Sequence, residues 1–261
     1  MLQVEHLYYQ HNDKPILNDI NFQLSKGELL TLLGANGAGK STLLNCIAGL
    51  LKINQGKILW QNQSIKDFSP KQIAQRIAYV SQYAPQTYQY SVRDFVVLGR
   101  ANHLGLFNRP SKADFLLVDN VLSQLNITKL ANKIYMHCSG GEKQLVNIAK
   151  VLVQQPELIL FDEPTSALDY GNVFKTISLI RELADNQFSI IMTTHNPDHP
   201  ILLHSRLPNS KTAILNQQGN LIIGNTPEII TEQNLNKLYQ TELKLIQVPE
   251  LNRKICAITH I

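Results

Sequence analysis

The sequence lacks the features that mark several large classes of protein. Its three cysteines form no CxxC pair and no even-numbered disulfide framework, which is typical of a reducing compartment. No stretch approaches the roughly 20 consecutive apolar residues of a membrane span. The first ten residues have neither the basic start nor the apolar core of a signal peptide. We therefore expect a cytosolic chain, whose role at a membrane, if it has one, comes through a partner.

An excess of charge of one sign is also missing. The net charge is only +4 over 261 residues, and the basic residues are spread along the chain. Nucleic-acid-binding proteins concentrate positive charge on one surface, so we expect no nucleic-acid partner. With 44% hydrophobic and 17% charged residues, the composition is that of a folded globular protein. The length is enough for one large domain with an insertion.

Short apolar runs bounded by turn residues recur along the chain. Continuous runs of this length predict strands that are buried on both faces of a parallel sheet. The four runs are 29–33, 77–80, 158–161 and 189–194. Segments of helical periodicity lie between them, so the sequence predicts an α/β fold. From about residue 212 onward it predicts a hairpin around a glycine turn and then a short helix over 227–239.

The middle of the chain, 84–155, has a different pattern. Ser111 and Asp114 have capping-box spacing before one helical stripe, and a second stripe ends before Pro156. This pattern predicts a mostly helical subdomain inserted into the α/β core. The predicted core then consists of the residues on either side of it, 1–83 and 156–261.

A glycine-rich loop, "GANGAGKST", occupies 34–42 and fits the pattern G-x-x-x-x-G-K-[ST]. It follows a predicted strand and precedes a predicted helix, the setting in which backbone amides and a helix N-terminus bind phosphates. Lys40 would bridge the β- and γ-phosphates of a nucleotide, and Ser41 would ligate Mg²⁺. A turn that only caps a helix is the alternative, which the flanking elements disfavour. The predicted nucleotide-binding residues are Gly34, Ala35, Asn36, Gly37, Ala38, Gly39, Lys40, Ser41 and Thr42.

Two adjacent carboxylates end the predicted strand 158–161. Ligands of open α/β sheets bind at the carboxyl ends of the strands, so both side chains are placed to serve one site. Asp162 would hold Mg²⁺, usually through water, and Glu163 would orient or deprotonate an attacking water. An exposed Asp-Glu-Pro turn is the alternative, and the phosphate loop makes it the weaker one.

These motifs together resemble the ATPase cassette of ABC transporters. The phosphate loop corresponds to the Walker A motif, 158–163 to Walker B, and "SGGEKQ" to the signature motif. Gln82 resembles the Q-loop residue, which implies a role in catalysis and in binding the metal. Asp169 in "SALD" resembles the D-loop, and His195 in "TTH" resembles the switch histidine that contacts the γ-phosphate.

The resemblance implies a P-loop NTPase fold with a RecA-like core and an inserted helical subdomain. It also implies that two copies pack head to tail, so that ATP on one Walker A loop is covered by the signature turn of the other copy. The signature residues acting in trans would be Ser139, Gly140, Gly141 and Glu142. The implied partners are integral-membrane permease subunits and, indirectly, a substrate-binding protein, with the chain on the cytoplasmic face of the inner membrane.

Two segments narrow the resemblance to one group of importers. "SVRDFVVLGR" at 91–100 and the ending "GNTPEIITEQNLNKLYQTEL" resemble importers of iron chelates, vitamin B12 and related metal compounds. The branch that carries molybdate or tungstate is closest in appearance. The rival interpretations are a soluble P-loop kinase and a non-transport ABC protein that acts as a nucleotide-gated binding module.

Two positions depart from the family pattern. Cys138 stands where the family usually has leucine, and we expect it to pack as a small buried hydrophobe. The aromatic residue that stacks on adenine is either Tyr9 or His11, which we place on the same strand face. The chemistry of the ring favours Tyr9, whereas the spacing to the Walker A motif in an ungapped alignment favours His11.

A histidine-rich stretch, "THNPDHPILLH", offers His195, His199 and His204 as metal ligands. We expect Pro197 and Pro200 to prevent the helix that would align the three rings, which argues against a metal site there.

Overall fold

A computed structural model describes residues 1–81, 89–105 and 108–259 of the chain. The strands in these ranges are β1 (Leu2–His11), β2 (Lys14–Leu24), β3 (Leu29–Leu33), β4 (Gln55–Trp60), β5 (Gln63–Ser64), β6 (Ile77–Val80), β7 (Leu158–Phe161), β8 (Ser189–Thr194), β9 (Lys211–Leu215), β10 (Leu221–Asn225), β11 (Leu243–Val248) and β12 (Arg253–Ile258). The helices are α1 (Lys40–Ile47), α2 (Pro70–Arg76), α3 (Val92–Val97), α4 (Lys112–Gln124), α5 (Gly140–Leu152), α6 (Tyr170–Asp185), α7 (Asp198–His204), α8 (Thr226–Ile229) and α9 (Glu232–Tyr239).

The central sheet has the strand order β10-β9-β3-β8-β7-β6. Its inner strands are parallel, and β10 pairs antiparallel with β9 at one edge. The four predicted apolar runs are β3, β6, β7 and β8, with the predicted bounds. Every residue of β3, β7 and β8 is buried, as expected of strands covered on both faces. Because these strands run parallel, the residues that follow them meet at one edge of the sheet.

A second, antiparallel sheet with the order β2-β1-β4-β5 comes mainly from the N-terminal part of the chain and was not predicted. Its inner face packs with α1 against the central sheet around the buried Trp60. Register shifts interrupt the pairing of β1 with β2, one of them between Tyr9 and Gln10. These irregularities break the simple alternation of side chains along β1.

The helices α3, α4 and α5 pack on one another and share a core cluster with the central sheet. The predicted capping box of Ser111 and Asp114 begins α4 and is confirmed. The helix α5 ends at Leu152, before Pro156, as its sequence stripe predicts. Cys138 is buried in this cluster, and burial raises the pKa of its thiol, which suits a packing residue rather than a reactive one. No helix in the described ranges has the length and apolar character needed to span a bilayer.

Two expectations for the C-terminal third were wrong. A helix does form after Pro197, because Pro200 is the third residue of α7, where an N–H has no partner within the helix to lose. The predicted helix 227–239 is split into α8 and α9, since the Thr231 side chain accepts a hydrogen bond from the Asn234 N–H and begins a new helix. The predicted hairpin is β9–β10, but the C-terminal hairpin β11–β12 was not foreseen.

Candidate active site

The phosphate loop connects β3 to α1, as predicted. Gly37 and Gly39 have φ angles of 79° and 98°, in the left-handed region that favours glycine. A Cβ atom on Gly39 would also lie 2.8 Å from the side chain of Ile16. Lys40 begins α1 and folds back across the loop, and its Nζ donates to the carbonyl oxygens of Gly34 at 2.8 Å and Ala35 at 3.1 Å. The lysine is therefore fixed at the mouth of the loop.

A carboxylate links this lysine to a histidine. Glu163 accepts the Lys40 ammonium on Oε1 at 2.9 Å, and its Oε2 lies 2.8 Å from Nδ1 of His195. Burial raises the pKa of Glu163, but the hydrogen bonds and charges of Lys40 and His195 together outweigh it and hold the pKa below its ordinary value. The carboxylate is consequently ionised at neutral pH, the state that a general base needs. The structure thus brings together three residues that the sequence placed in one site.

Glu163 has an unusual backbone conformation, with a φ of 46°. Its N–H donates to Oγ1 of Thr193 at 2.8 Å, and the same hydroxyl donates to Oδ1 of Asp162 at 2.8 Å. Thr193 therefore bridges the two carboxylate residues and supports the strained turn between them. Thr193 was not predicted from the sequence, because threonine is common inside apolar strands. Its position two residues before His195 was the available signal.

Asp162 is buried and has a polar neighbour on each carboxylate oxygen. Oδ2 accepts the Tyr79 hydroxyl at 2.8 Å, opposite the Thr193 bond on Oδ1. Burial and then the charge of Asp162 raise the pKa of Tyr79, so its hydroxyl stays protonated and remains a donor. Tyr79 was also missed, although it lies in the predicted strand that pairs with β7.

The donor set suits Mg²⁺. Mg²⁺ prefers oxygen ligands and keeps several of its waters. Ser41 supplies a hydroxyl on the cleft wall, and each oxygen of Asp162 retains a lone pair beyond its hydrogen bond. Gln82, the third expected ligand, lies outside the described residues. Among the described residues, no group of three His, Cys, Asp or Glu side chains is arranged to hold a metal ion.

An open cleft of about 790 Å³ joins these groups, a size that suits a nucleotide. The first residues of β2, from Lys14 to Ile16, form one wall. The cleft is lined by Lys14, Pro15, Ile16, Asn36, Gly37, Ala38, Gly39, Lys40, Ser41, Thr42, Glu163, Ser166, His195 and Gln217.

The two candidates for the adenine contact differ in surroundings. Tyr9 is half-buried against the core, whereas His11 is exposed and pairs with Lys14 of the cleft wall. A register shift in the β1–β2 pairing falls between Tyr9 and Gln10, so the two residues lie on either side of an irregularity in the strand. The arrangement favours His11.

The signature turn forms the N-terminus of α5. Ser139 accepts the Glu142 N–H on Oγ, and Glu142 accepts the Ser139 N–H at 2.8 Å, which confirms the capping-box geometry. Lys133 pairs with the Glu142 carboxylate at 2.7 Å. Ser139 and Gly140 are exposed and are not among the residues that line the cleft of the same chain.

Asp169 lies beside this turn. Its carboxylate accepts both the N–H and the side-chain amide of Asn172, at 2.9 and 2.8 Å, and so caps α6. A Cβ atom on Gly141 would meet the side-chain amide of Asn172, so the absence of a side chain at Gly141 lets the two segments approach closely. The predicted signature and D-loop residues are therefore in contact through one asparagine.

The phosphate loop at the carboxyl edge of a parallel sheet, with a lysine, a glutamate and a histidine converging on it, defines a P-loop nucleoside-triphosphate-binding protein. A family model described as ABC transporter matches residues 17–166. The chain therefore belongs to the ABC transporter ATP-binding family, whose members are the ATP-hydrolysing subunits of transporters.

Proteins of similar sequence or structure align with nearly the whole length of this chain. The molybdate import ATP-binding protein MolC of Haemophilus influenzae is 37% identical over 240 residues, covering 91% of this chain and 87% of MolC. The hemin import ATP-binding protein HmuV of Hahella chejuensis is 32% identical over 256 residues and 95% of both chains. A solved structure described as an inward-facing conformation of a proposed metal-chelate type ABC transporter matches with a TM-score of 0.86 and 33% identity, over 99% of this chain and 97% of that one.

Proposed function

We propose that the chain is the ATP-hydrolysing subunit of a membrane importer whose cargo is a metal chelate or a metal oxyanion such as molybdate. The linked Lys40, Glu163 and His195 side chains are the observation that supports hydrolysis. Import of this cargo class is supported by the molybdate and hemin importers and the metal-chelate transporter that the chain resembles.

Hydrolysis in this site depends on positioning and on charge. The loop amides and Lys40 bind the phosphates, and the phosphates compete with the Glu163 carboxylate for the lysine. Glu163 then accepts a proton from the attacking water, while His195 contacts the γ-phosphate. Ser41, Asp162 and Gln82 would hold Mg²⁺, whose contribution would be to neutralise charge on the phosphates.

A second copy of the chain completes the site. Ser139 and Gly140 face solvent at a helix N-terminus, where backbone N–H groups favour an anion. We place them, with Gly141 and Glu142, over the ATP of the partner copy, and Asp169 at the seam between copies. We divide the chain into a helical subdomain at 84–155 and a core formed by residues 1–83 and 156–261. Permease subunits, bound at the cytoplasmic face of the membrane, would move with the helical subdomain.

Glu163→Gln tests the hydrolysis mechanism. The amide cannot accept a proton, so we expect phosphate release from ATP to fall to background while binding of a fluorescent ATP analogue persists. Glu250→Gln, a matched change at an exposed glutamate, should leave both unchanged. A Glu163→Gln chain that still releases phosphate at the wild-type rate would overturn the assignment of the base.

Uptake by cells tests the cargo. A strain that carries only Lys40→Ala should lose uptake of labelled molybdate or of a labelled iron chelate, whereas the wild-type gene should restore it. Loss of one but not the other identifies the cargo within the proposed class. Unchanged uptake of both would contradict the proposed class and favour a non-transport ABC protein.

A further inference from the structure

We propose that Tyr239 is a positioning residue for His195, so that the C-terminal segment 231–259 sets the geometry of the ATPase site. The Tyr239 hydroxyl donates a hydrogen bond to the backbone carbonyl of His195 at 2.5 Å. The ring of the same histidine lies 2.8 Å from the Glu163 carboxylate. The inference rests on the roles proposed above for His195 and Glu163.

Tyr239 is itself held by packing. It is the last residue of α9, which buries Leu235 and Leu238. Both leucines belong to a small apolar cluster that includes Leu33, the last residue of β3. The phosphate loop begins at the next residue, so α9 is anchored to the same strand that positions Lys40. The tyrosine is therefore part of a packed scaffold, on which a hydroxyl can fix a neighbouring loop.

A second hydrogen bond, from strand β12, holds the segment that follows β8 and contains His195. The backbone N–H of Cys256, on β12, donates to Oδ1 of Asp198 at 2.9 Å. Asp198 lies three residues after His195, and its own N–H donates to the side chain of Asn196 at 2.9 Å. The loop after β8 is thus held by two separate parts of the C-terminal segment. Support of this kind keeps a functional side chain in its productive geometry.

The hydroxyl is suited to this task. Burial raises the pKa of Tyr239, and the neighbouring Cys256 and Glu163 raise it further, so the group remains a donor over the working pH range. The match to the family model ends at residue 166, before both His195 and the C-terminal segment. The support for His195 comes from a part of the chain that this match does not cover.

Tyr239→Phe removes the hydroxyl and keeps the ring. We expect kcat for ATP hydrolysis to fall about three- to tenfold, the effect of losing one hydrogen bond that orients a catalytic group. KM for ATP should stay within about twofold, because Tyr239 does not line the cleft. Tyr135→Phe is the matched control, since it removes a hydroxyl that donates to Asn147 at 3.1 Å in the helical region. It should leave kcat unchanged.

A double-mutant cycle separates positioning from general destabilisation. In a His195→Ala background, Tyr239→Phe should have no further effect on kcat. The ring resonances of His195 in an NMR spectrum, identified by their loss in His195→Ala, should move in Tyr239→Phe and not in Tyr135→Phe. This readout does not depend on activity.

The outcomes distinguish the inference from the proposed function. If His195→Ala leaves hydrolysis intact, the proposed role of His195 fails. If His195→Ala lowers kcat to a small but measurable value and Tyr239→Phe changes neither kcat nor the His195 resonances, the positioning role fails. Equal losses of kcat in the two backgrounds would also overturn it.

Discussion

At the scale of single residues, the site depends on side chains that hold the catalytic groups rather than touch ATP. Thr193 is completely buried and bridges the Glu163 backbone to the Asp162 carboxylate. Tyr79 holds the other oxygen of Asp162. Without these hydroxyl groups the two carboxylate residues would lose partners that water cannot replace in a buried position. The geometry of the turn after β7 therefore depends on hydroxyl groups from the strands on either side of it.

Thr193→Val tests this dependence. Valine has a similar shape, but it leaves the Glu163 N–H and Asp162 Oδ1 unpaired, at a cost of about 1–3 kcal/mol in stability. We expect a lower melting temperature and a lower kcat for ATP hydrolysis. Thr193→Ser keeps the hydroxyl and should retain most of the activity. Wild-type turnover in the valine variant would show that the bridge is dispensable.

At the scale of secondary-structure elements, capping interactions place several of the functional helix ends. Ser139 begins α5 and Asp169 begins α6, so a residue expected to act in trans and a residue expected at the dimer seam also define where their helices start. The same device begins α4, where Asp114 accepts hydrogen bonds from Ser111 and pairs with Arg100 at 2.9 Å. The capping interactions therefore fix both the first residue of each helix and the position of the functional residues at that helix end.

Asp114→Asn tests the capping at α4 through its pH dependence. Hydrogen bonds from the Ser111 side chain and backbone, with Arg100, lower the pKa of Asp114 to about 2. A depressed pKa stabilises the folded state above the ordinary value of about 4 and loses that effect as the pH falls towards 2. The variant should melt below the wild type at neutral pH, by about 1 kcal/mol in stability. The difference should shrink below about pH 4.

The exposed Asp67 offers the control for this experiment. Asp67→Asn should change the melting temperature little at any pH. A constant difference between wild type and Asp114→Asn from neutral pH down to the acid limit of folding would contradict the capping account.

The elements differ in how far the sequence alone predicts them. β3, β6, β7 and β8 are predictable because burial on both faces requires continuous apolar runs. β1 and β2 escape prediction because register shifts disrupt their alternation. The contact of Tyr239 with His195 spans 44 positions, and no local pattern records it. Motifs thus predict the groups that we propose contact the nucleotide, whereas the residues that hold those groups emerge only from tertiary contacts.

At the scale of the whole molecule, the two halves of the proposed composite site lie in separate parts of one chain. The cleft with Lys40 and Glu163 opens at the edge of the central sheet, while Ser139 begins a helix in a different part of the chain and does not line that cleft. Two such chains in head-to-tail symmetry would form two composite sites. We therefore propose that neither half hydrolyses ATP without the other copy.

Mixing two inactive variants tests this claim most directly. Lys40→Ala lacks one half of the site and Ser139→Ala lacks the other, so each alone should be inactive. In an equal mixture, about a quarter of the composite sites regain both intact halves, all of them in mixed dimers. The control is an equal mixture of wild type with the double variant Lys40→Ala/Ser139→Ala, in which mixed dimers have no intact site. We predict phosphate release in the first mixture that neither variant shows alone, at a level close to that of the control. A first mixture as inactive as its components, beside a control that keeps half of the wild-type rate, would show that each chain works alone and would contradict the account.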